Sequence, residues 1–269
     1  MPPDPRPGRR RPAGPRPRFL YPGLWLPFLV LLAVLGGAWT WAARTWPYLL
    51  PPLPKVWSSL AGHPGYYASN AGTTLGEAAL GLAIGGGVAF ALAVLTSEVA
   101  VARRAVMPVA VVLNVTPLVA IAPALVVAFG FGAVPKVVIT ALICFFPILI
   151  NTATGLRSVP AAIVAVYRTV RASRLEILWH LRVPSALPFI FASLRIATPL
   201  TVIGAVVAEM AAAGGSGGLG TVIATASSGN QLPVVYAAMA VLAVMGVLLL
   251  LIVTLVERRA LRWHESTRE

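Results

Sequence analysis

Charged side chains are scarce in this chain. They make up only 11% of its 269 residues, against about 25% in ordinary soluble domains. Hydrophobic residues account for 58%, and the mean hydropathy is +0.84. A soluble fold of this length could not cover its surface with so few charges, so the composition predicts a protein whose solvent is largely lipid.

Cysteine and histidine are also rare, which excludes several kinds of site. The one cysteine, Cys144, lies in an apolar run, so an intrachain disulfide is excluded and a packing role is expected. The three histidines show no spacing typical of a metal site or a catalytic pair; they are His63, His180 and His264. The sequence has no glycine-rich Lys-Ser/Thr phosphate loop, so we do not expect the chain to be an ATPase, and an intramembrane enzyme is disfavoured.

Long apolar runs dominate what is there, and a bilayer core needs roughly 20 apolar residues in a helix. The fifth run includes Arg195 and Glu209 near its ends, where such side chains can reach the interface. The first run could be a signal peptide, but it is longer than a signal core and lacks a small-x-small cleavage site. We therefore predict an all-α polytopic membrane protein with six spans, at about residues 24–43, 78–97, 106–131, 137–156, 189–213 and 232–256.

Basic residues outnumber acidic ones, 21 to 8, giving a net charge of +13. With the N-terminus inside, nearly all of them fall in the cytoplasmic tails and loops, and three fall outside: Arg44, Lys55 and Lys136. This is the asymmetry of the positive-inside rule. The charge therefore predicts topology, with both termini in the cytoplasm, and nucleic acid is not an expected partner.

The organisation along the chain follows from these spans. Residues 1–18 are rich in Pro and Arg and predict a disordered cytoplasmic tail; residues 19–263 form the transmembrane domain, and 264–269 a second cytoplasmic tail. The outer segment 45–72 is rich in Pro, Trp and Tyr, which fits an interfacial aromatic belt or, less readily, a binding surface. Thr74-Leu75-Gly76-Glu77 has the spacing of a capping box and predicts the start of the second span.

The longest cytoplasmic connection, residues 157–187, predicts two short amphipathic helices. Pro160 suits the first turn of a helix over about 161–172. Ser173-Arg174-Leu175-Glu176 is a second capping box, opening a helix to about Arg182. Pro184 and Pro188 are expected to break the helix before the fifth span. Such a pair could lie on anionic lipid or provide a docking surface for a soluble partner.

This connection resembles the cytoplasmic signature of binding-protein-dependent ABC importer permeases, which reads Glu-Ala-Ala, three residues, Gly, nine residues, Ile-x-Leu-Pro. With the family proline on Pro184, Leu181 and Val183 occupy the Ile and Leu positions. In the same alignment, Arg171 occupies the glycine position of the signature, and Ala165-Val166-Tyr167 occupies the Glu-Ala-Ala positions. Glu77-Ala78-Ala79 lacks the rest of the signature and is expected on the outer side.

Three further motifs are similar to the nitrate, sulfonate and taurine branch of that family. They are 116–123 with Phe129-Gly130, Phe146-Pro147 with 151–159, and 208–210 with 216–220. Together the motifs cover roughly residues 73–263. The resemblance implies a type I importer permease fold and a small anion, or a thiamine or flavin precursor, as solute.

The resemblance also implies partners and site residues. The partners are a second permease copy, two ATPase subunits that bind ATP and Mg²⁺, an external solute-binding protein and membrane lipid; the chain itself needs no cofactor. The helix at about 161–172 would be the coupling helix, and we hypothesise that Arg171 retains the docking geometry while shifting partner choice. The expected coupling residues are Ala165, Val166, Tyr167, Arg168, Arg171, Ala172, Ser173, Arg174, Glu176, Leu181, Val183 and Pro184.

The solute pathway is expected between two permease copies. Pro117 and Pro123 should loosen the third span near polar side chains. Glu209, expected to be the only acid at membrane depth, is either functional or a structural partner of an outer-loop amide or of Arg195. Residues 214–220 can bend at the outer mouth or form a plain loop. The pathway candidates are Asn114, Thr116, Pro117, Pro123, Glu209, Ser216 and Gly217. The alternatives are an ion-coupled secondary transporter or a channel.

Overall fold

The computed structural model describes residues 22–212 and 217–261, and these are almost entirely helical. The helices are α1 (Pro22–Thr45), α2 (Leu53–Gly62), α3 (Pro64–Glu98), α4 (Ala100–Val115), α5 (Ala122–Phe129), α6 (Ala133–Leu156), α7 (Ala161–Thr169), α8 (Arg174–Ile177), α9 (Val183–Ala211), α10 (Leu219–Ser228) and α11 (Leu232–Ala260). The expectation of an all-α fold is confirmed. The tails predicted at 1–18 and 264–269 lie outside the described residues.

Four of the described helical segments are long and apolar enough to cross a membrane: α3, α6, α11 and the continuous stretch Arg174–Ala211. They contain the second, fourth, sixth and most of the fifth predicted spans. The first predicted span lies within α1, which belongs to a separate compact unit ending at Leu53. Within that unit, the Trp39 indole donates to the Pro51 carbonyl over 3.2 Å.

The third predicted span is interrupted. α4 ends at Val115, a single 3-10 turn covers Leu118–Ile121, and α5 follows. Pro117 lies in the gap and Pro123 lies in the first turn of α5, where a missing N–H costs no helical hydrogen bond. The loosened helix that these prolines predict is therefore confirmed, although Pro108 is accommodated inside α4.

The core forms where α3 and α9 pack on either side of α6. Gly81 and Gly85 lie one turn apart on α3, and a Cβ at Gly85 would overlap the Ala141 carbonyl oxygen on α6. On the other side, a Cβ at Gly155 would overlap Phe189 of α9. Small residues let helices approach closely where lipid offers no hydrophobic driving force between them. Cys144 is buried in this core as expected, with its thiol directed to the α3 backbone at Gly81.

Two helix boundaries differ from the sequence prediction. The capping box at Thr74–Glu77 does not open a helix, because α3 begins ten residues earlier at Pro64. Pro64 was the signal for this helix start that the sequence prediction missed, because proline is favoured in the first turn of a helix. Pro184 and Pro188 likewise do not break the helix, since both lie inside α9 and Pro184 is in its first turn. A wide π turn at Leu178–Arg182 precedes them, and such turns accommodate prolines that lack the N–H of a regular helix.

Candidate functional site

A buried ion pair joins α3 to α6. The Lys136 ammonium donates to Glu77 Oε1 over 2.9 Å, and the exposed fractions of the two side chains are 0% and 6%. Lys136 also donates to the Gly217 carbonyl over 3.2 Å. The ammonium therefore connects two helices to the segment that follows α9.

Glu209 of α9 lies beside this pair and is fully buried. Its Oε1 accepts a hydrogen bond from the Thr74 hydroxyl of α3 over 2.8 Å. Its Oε2 accepts from the Gly220 N–H at the start of α10 over 2.5 Å. A carboxylate at a helix N-terminus satisfies free N–H groups and complements the positive end of the helix dipole. Glu209 thus anchors the first turn of α10.

Asn70 and Thr74 of α3 also bond directly to this turn. Asn70 Oδ1 accepts from the Gly218 N–H over 2.8 Å, and the Thr74 hydroxyl oxygen accepts from the Leu219 N–H over 2.9 Å. Gly218 has φ +113°, and a Cβ there would overlap the Glu209 carboxylate. The turn therefore needs glycine both for its backbone conformation and for its close approach to Glu209. We call Asn70, Thr74, Glu77, Lys136 and Glu209 the outer polar cluster, because the charge pattern of the sequence predicts that this end of the helices faces the outer side.

The structure corrects part of the sequence analysis here. Glu209 is not the only buried acid of the described residues, because Glu77 is buried beside it. Arg195 is not the partner of Glu209, since it pairs with Glu257 of α11 over 2.6 Å. The alternative of an outer-loop amide agrees with the bond from Gly220. Lys136 was expected to be a loop charge on the outer side. Lys136 and Glu77 carry opposite charges at the same expected end of two apolar runs, and this was the signal that could have paired them.

Four of the remaining six pathway candidates lie at or near the break in the third predicted span. Asn114 is exposed, and the half-buried Thr116 donates to the Val112 carbonyl of its own helix over 3.0 Å. Pro117 and Pro123 are exposed. Ala122 packs against Ala208 of α9 and thereby places the start of α5 beside the turn that carries Glu209. Gly217 contributes its carbonyl to Lys136, while Ser216 lies outside the described residues.

The predicted coupling segment, residues 157–187, lies at the opposite ends of α3 and α6. α7 ends in a Schellman motif, in which the Arg171 N–H donates to the Arg168 carbonyl and the Ala172 N–H donates to the Tyr167 carbonyl, both over 3.0 Å. Arg171 takes the left-handed conformation, with φ +58°. Glycine is the usual residue at this position of the motif. Arg171 therefore holds a backbone conformation that glycine adopts more easily.

α8 begins at the capping box that the sequence predicted. Glu176 Oε2 accepts from the Ser173 N–H over 2.6 Å, and the Ser173 hydroxyl accepts from the Glu176 N–H over 3.2 Å. The coupling candidates before Leu178 are mostly exposed, whereas the last three are half-buried: Leu181, Val183 and Pro184. The predicted capping box is confirmed.

The two faces of α7 differ in character. Ile163, Val166 and Val170 follow one another at helical spacing, with exposed fractions of 44%, 63% and 74%. Val164 and Arg168 lie one turn apart on the opposite side, where Val164 is buried. An exposed apolar stripe on a short helix that connects two transmembrane helices is typical of an interaction surface.

Comparison with known proteins assigns the family. The family model for the inner-membrane component of binding-protein-dependent transport systems matches residues 81–262. The riboflavin transport system permease protein of Chloroflexus aurantiacus is 31% identical over 254 residues, covering 93% of each chain. The formylaminopyrimidine transport permease protein of Halalkalibacterium halodurans is 32% identical, covering 89% of this chain and 94% of its own.

A third relative and a solved structure agree with these matches. The taurine transport system permease protein of Escherichia coli is 30% identical, covering 87% of this chain and 88% of its own. A chain of the MetNI methionine ABC transporter, solved in inward-facing conformations, shares the fold with a TM-score of 0.58 at 20% identity, covering 78% of this chain and 99% of its own. This chain belongs to the family of inner-membrane components of binding-protein-dependent transport systems, and it is a multi-pass ABC importer permease subunit with a type I importer fold.

Proposed function

We propose that this permease works as a pair, with a second copy or a related permease, and that a soluble ATPase docks on the apolar face of α7. The observation that carries the proposal is the exposed stripe of Ile163, Val166 and Val170 on a helix closed by the Arg171 Schellman motif. Two ATPase subunits would bind ATP and Mg²⁺, and an external solute-binding protein would deliver the solute. Both termini would lie in the cytoplasm, as the distribution of basic residues supports.

Short capped helices suit this coupling role. A helix fixed at both ends moves as a unit, whereas a coil absorbs a displacement without passing it on. α7 is followed after a short turn by α8, which continues through the π turn into α9. A displacement of α7 by the ATPase would therefore reach the helix that carries Glu209.

The docking face can be tested in the assembled transporter. Val166→Asp places a charge in the proposed interface and is expected to abolish co-purification of the ATPase and ATP-dependent uptake. Thr169→Asp adds the same charge at an exposed residue of the same helix outside the apolar stripe, and we expect the ATPase to be retained. Equal retention of the ATPase by both variants would disprove the assignment of this face.

For the solute, we propose a small organic anion or a pyrimidine or flavin precursor. Relatives that match this chain along most of its length are named for riboflavin, formylaminopyrimidine and taurine transport. Uptake of the three labelled compounds by proteoliposomes containing the complete complex would separate these classes. ATP-independent flux driven by an ion gradient would instead support the secondary transporter or channel.

At the outer end, we propose that Glu209 acts as an anchor of the mouth and does not contact the solute. Both of its carboxylate oxygens accept hydrogen bonds from the protein itself. The anchored turn includes Gly217, whose carbonyl is in turn bonded to Lys136. The outer polar cluster would thus hold the turn at residues 217–220 against α3 and α6 while the coupling segment moves.

A further inference from the structure

A groove of about 410 Å³ opens between the end of α3 and the turn that joins α7 to α8. Its charged lining consists of Arg168, Arg174, Arg182 and Glu98. A neighbouring groove of about 250 Å³ shares Arg168 and Arg182 and adds Arg157 from the end of α6. Four arginines therefore line two adjoining grooves whose lining includes one acidic residue.

The positive charge of these grooves is largely uncompensated. Glu98 forms an ion pair with Arg182 over 2.5 Å, so the carboxylate in the groove lining already has a cationic partner. Among the described residues, no carboxylate forms an ion pair with Arg157, Arg168 or Arg174. Like charges held close together repel, so an anion bound between them is favoured.

The geometry of α7 separates these grooves from the proposed ATPase surface. Arg168 follows Val164 by one turn and lies on the side of the helix opposite to Ile163, Val166 and Val170. Val164 is 8% exposed, whereas Val166 is 63% exposed. A protein seated on the apolar stripe would therefore leave the arginine-lined side of α7 free.

The position of the grooves indicates the kind of anion. They lie where two membrane-spanning helices end, α3 at Glu98 and α6 at Leu156. Apolar side chains share the lining with the arginines: Leu156, Val159 and Val164. Arginine binds phosphate through paired N–H donors, and phospholipid headgroups lie at the depth where apolar spans end.

We propose that these grooves bind the phosphate of an anionic phospholipid headgroup, with Arg157, Arg168 and Arg174 as the main donors. The Arg182–Glu98 pair fixes the end of α3 to the π turn and shapes the wall between the grooves. The bound lipid would connect the coupling segment to the ends of α3 and α6. Docking of that segment would then depend on the anionic lipid content of the membrane.

The full chain, purified in detergent and analysed by native mass spectrometry with added phosphatidylglycerol or phosphatidylcholine, tests the proposal. We expect saturable retention of phosphatidylglycerol and little of phosphatidylcholine. Arg168→Gln should weaken that retention about fivefold, and the Arg157→Gln/Arg168→Gln double variant should weaken it further. Arg258→Gln/Arg259→Gln removes two exposed charges from the end of α11 and should leave retention unchanged.

Three outcomes would overturn the proposal. Equal loss of phosphatidylglycerol in the groove and α11 double variants would mean that only overall charge matters. Binding of inorganic phosphate, with no preference for phosphatidylglycerol, would assign the grooves to a soluble anion. Loss of the ATPase from Arg168→Gln with phosphatidylglycerol retention intact would assign Arg168 to the protein interface. The thermal stability of each variant shows whether it folds, and the Arg168→Gln single variant changes only one exposed residue.

Discussion

Lys136 of α6 donates to Glu77 of α3 over 2.9 Å, and both side chains are buried. A buried charge needs a partner, because its transfer out of water costs several kcal/mol that only close, well-oriented contacts offset. The same ammonium bonds to the Gly217 carbonyl. This contact ties the packing of two transmembrane helices to the position of the outer turn.

Removing one member of the pair should therefore be costly. We expect Lys136→Met to lower the free energy of unfolding by about 3–5 kcal/mol, because Glu77 would remain buried without its cation. Thermal unfolding of the purified permease in detergent measures the effect. The double variant Lys136→Met/Glu77→Gln should recover much of the loss. Arg195→Gln, at the 47% exposed end of a pair with Glu257, is the control and should have little effect.

Glu209→Gln separates an anchor from a charge that acts on the solute. The glutamine oxygen can accept from Gly220 N–H while its amide donates to the Thr74 hydroxyl, so the anchoring bonds can be kept. We expect Glu209→Gln to retain most of the ATP-dependent uptake of the reconstituted complex. Glu209→Leu, which leaves those groups unbonded, should unfold at a markedly lower temperature. A stable Glu209→Gln variant with no uptake would contradict the anchoring role.

Gly218→Ala should disrupt the outer turn. The φ of +113° is unfavourable for alanine, and the added methyl group would overlap the Glu209 carboxylate. We expect lower thermal stability and impaired uptake. Gly229→Ala is the matched control, since φ is −84° there and an added Cβ would meet its neighbours at ordinary distances of 3.6 Å or more. Equal behaviour of the two variants would argue against a tightly packed turn at Gly218.

Arg171→Gly is expected to stabilise the turn after α7. The left-handed conformation costs a non-glycine residue about 1–2 kcal/mol, partly offset by the greater freedom of glycine in the unfolded chain. Slower hydrogen exchange of the Ala172 amide would report a tighter Schellman motif. Arg168→Gly makes the same change inside α7 and should destabilise that helix.

The same variant tests whether Arg171 preserves docking. If the geometry is retained and only partner choice is shifted, both wild type and Arg171→Gly should co-purify with an ATPase of this transporter family. Failure of both to retain any ATPase would contradict that hypothesis. A difference in which ATPase each retains would support it.

Several features of the fold were accessible from sequence because they depend on neighbours along the chain. The apolar runs predicted α3, α6 and α11 within their observed bounds, since a bilayer-spanning helix must be apolar over its length. The capping box at Ser173–Glu176 was also predicted correctly, because its two hydrogen bonds join residues three positions apart. Thr74–Glu77 has the same spacing, but the prediction that it opens a helix was wrong. The helix already begins at Pro64, and the Thr74 hydroxyl bonds to Glu209 of α9.

The outer polar cluster depended on contacts that no local pattern encodes. Glu77 and Lys136 are separated by 59 positions, and Thr74 and Glu209 by 135. Sequence placed each near the end of an apolar run but could not say which helix faces would meet. That depends on how closely α3, α6 and α9 approach through their glycines, which is a property of the packed assembly.

By itself, the sequence determined the membrane class, the family resemblance and the capping box that opens α8, because hydropathy, charge asymmetry and helix caps act over short stretches of chain. Only the tertiary structure decided that Lys136 is a buried partner of Glu77, that Glu209 anchors α10 and that the arginines of α6, α7 and α8 line adjoining grooves. The reason is physical: the free energy of a buried or clustered charge depends on the groups that surround it in space, and residues far apart in sequence supply those groups.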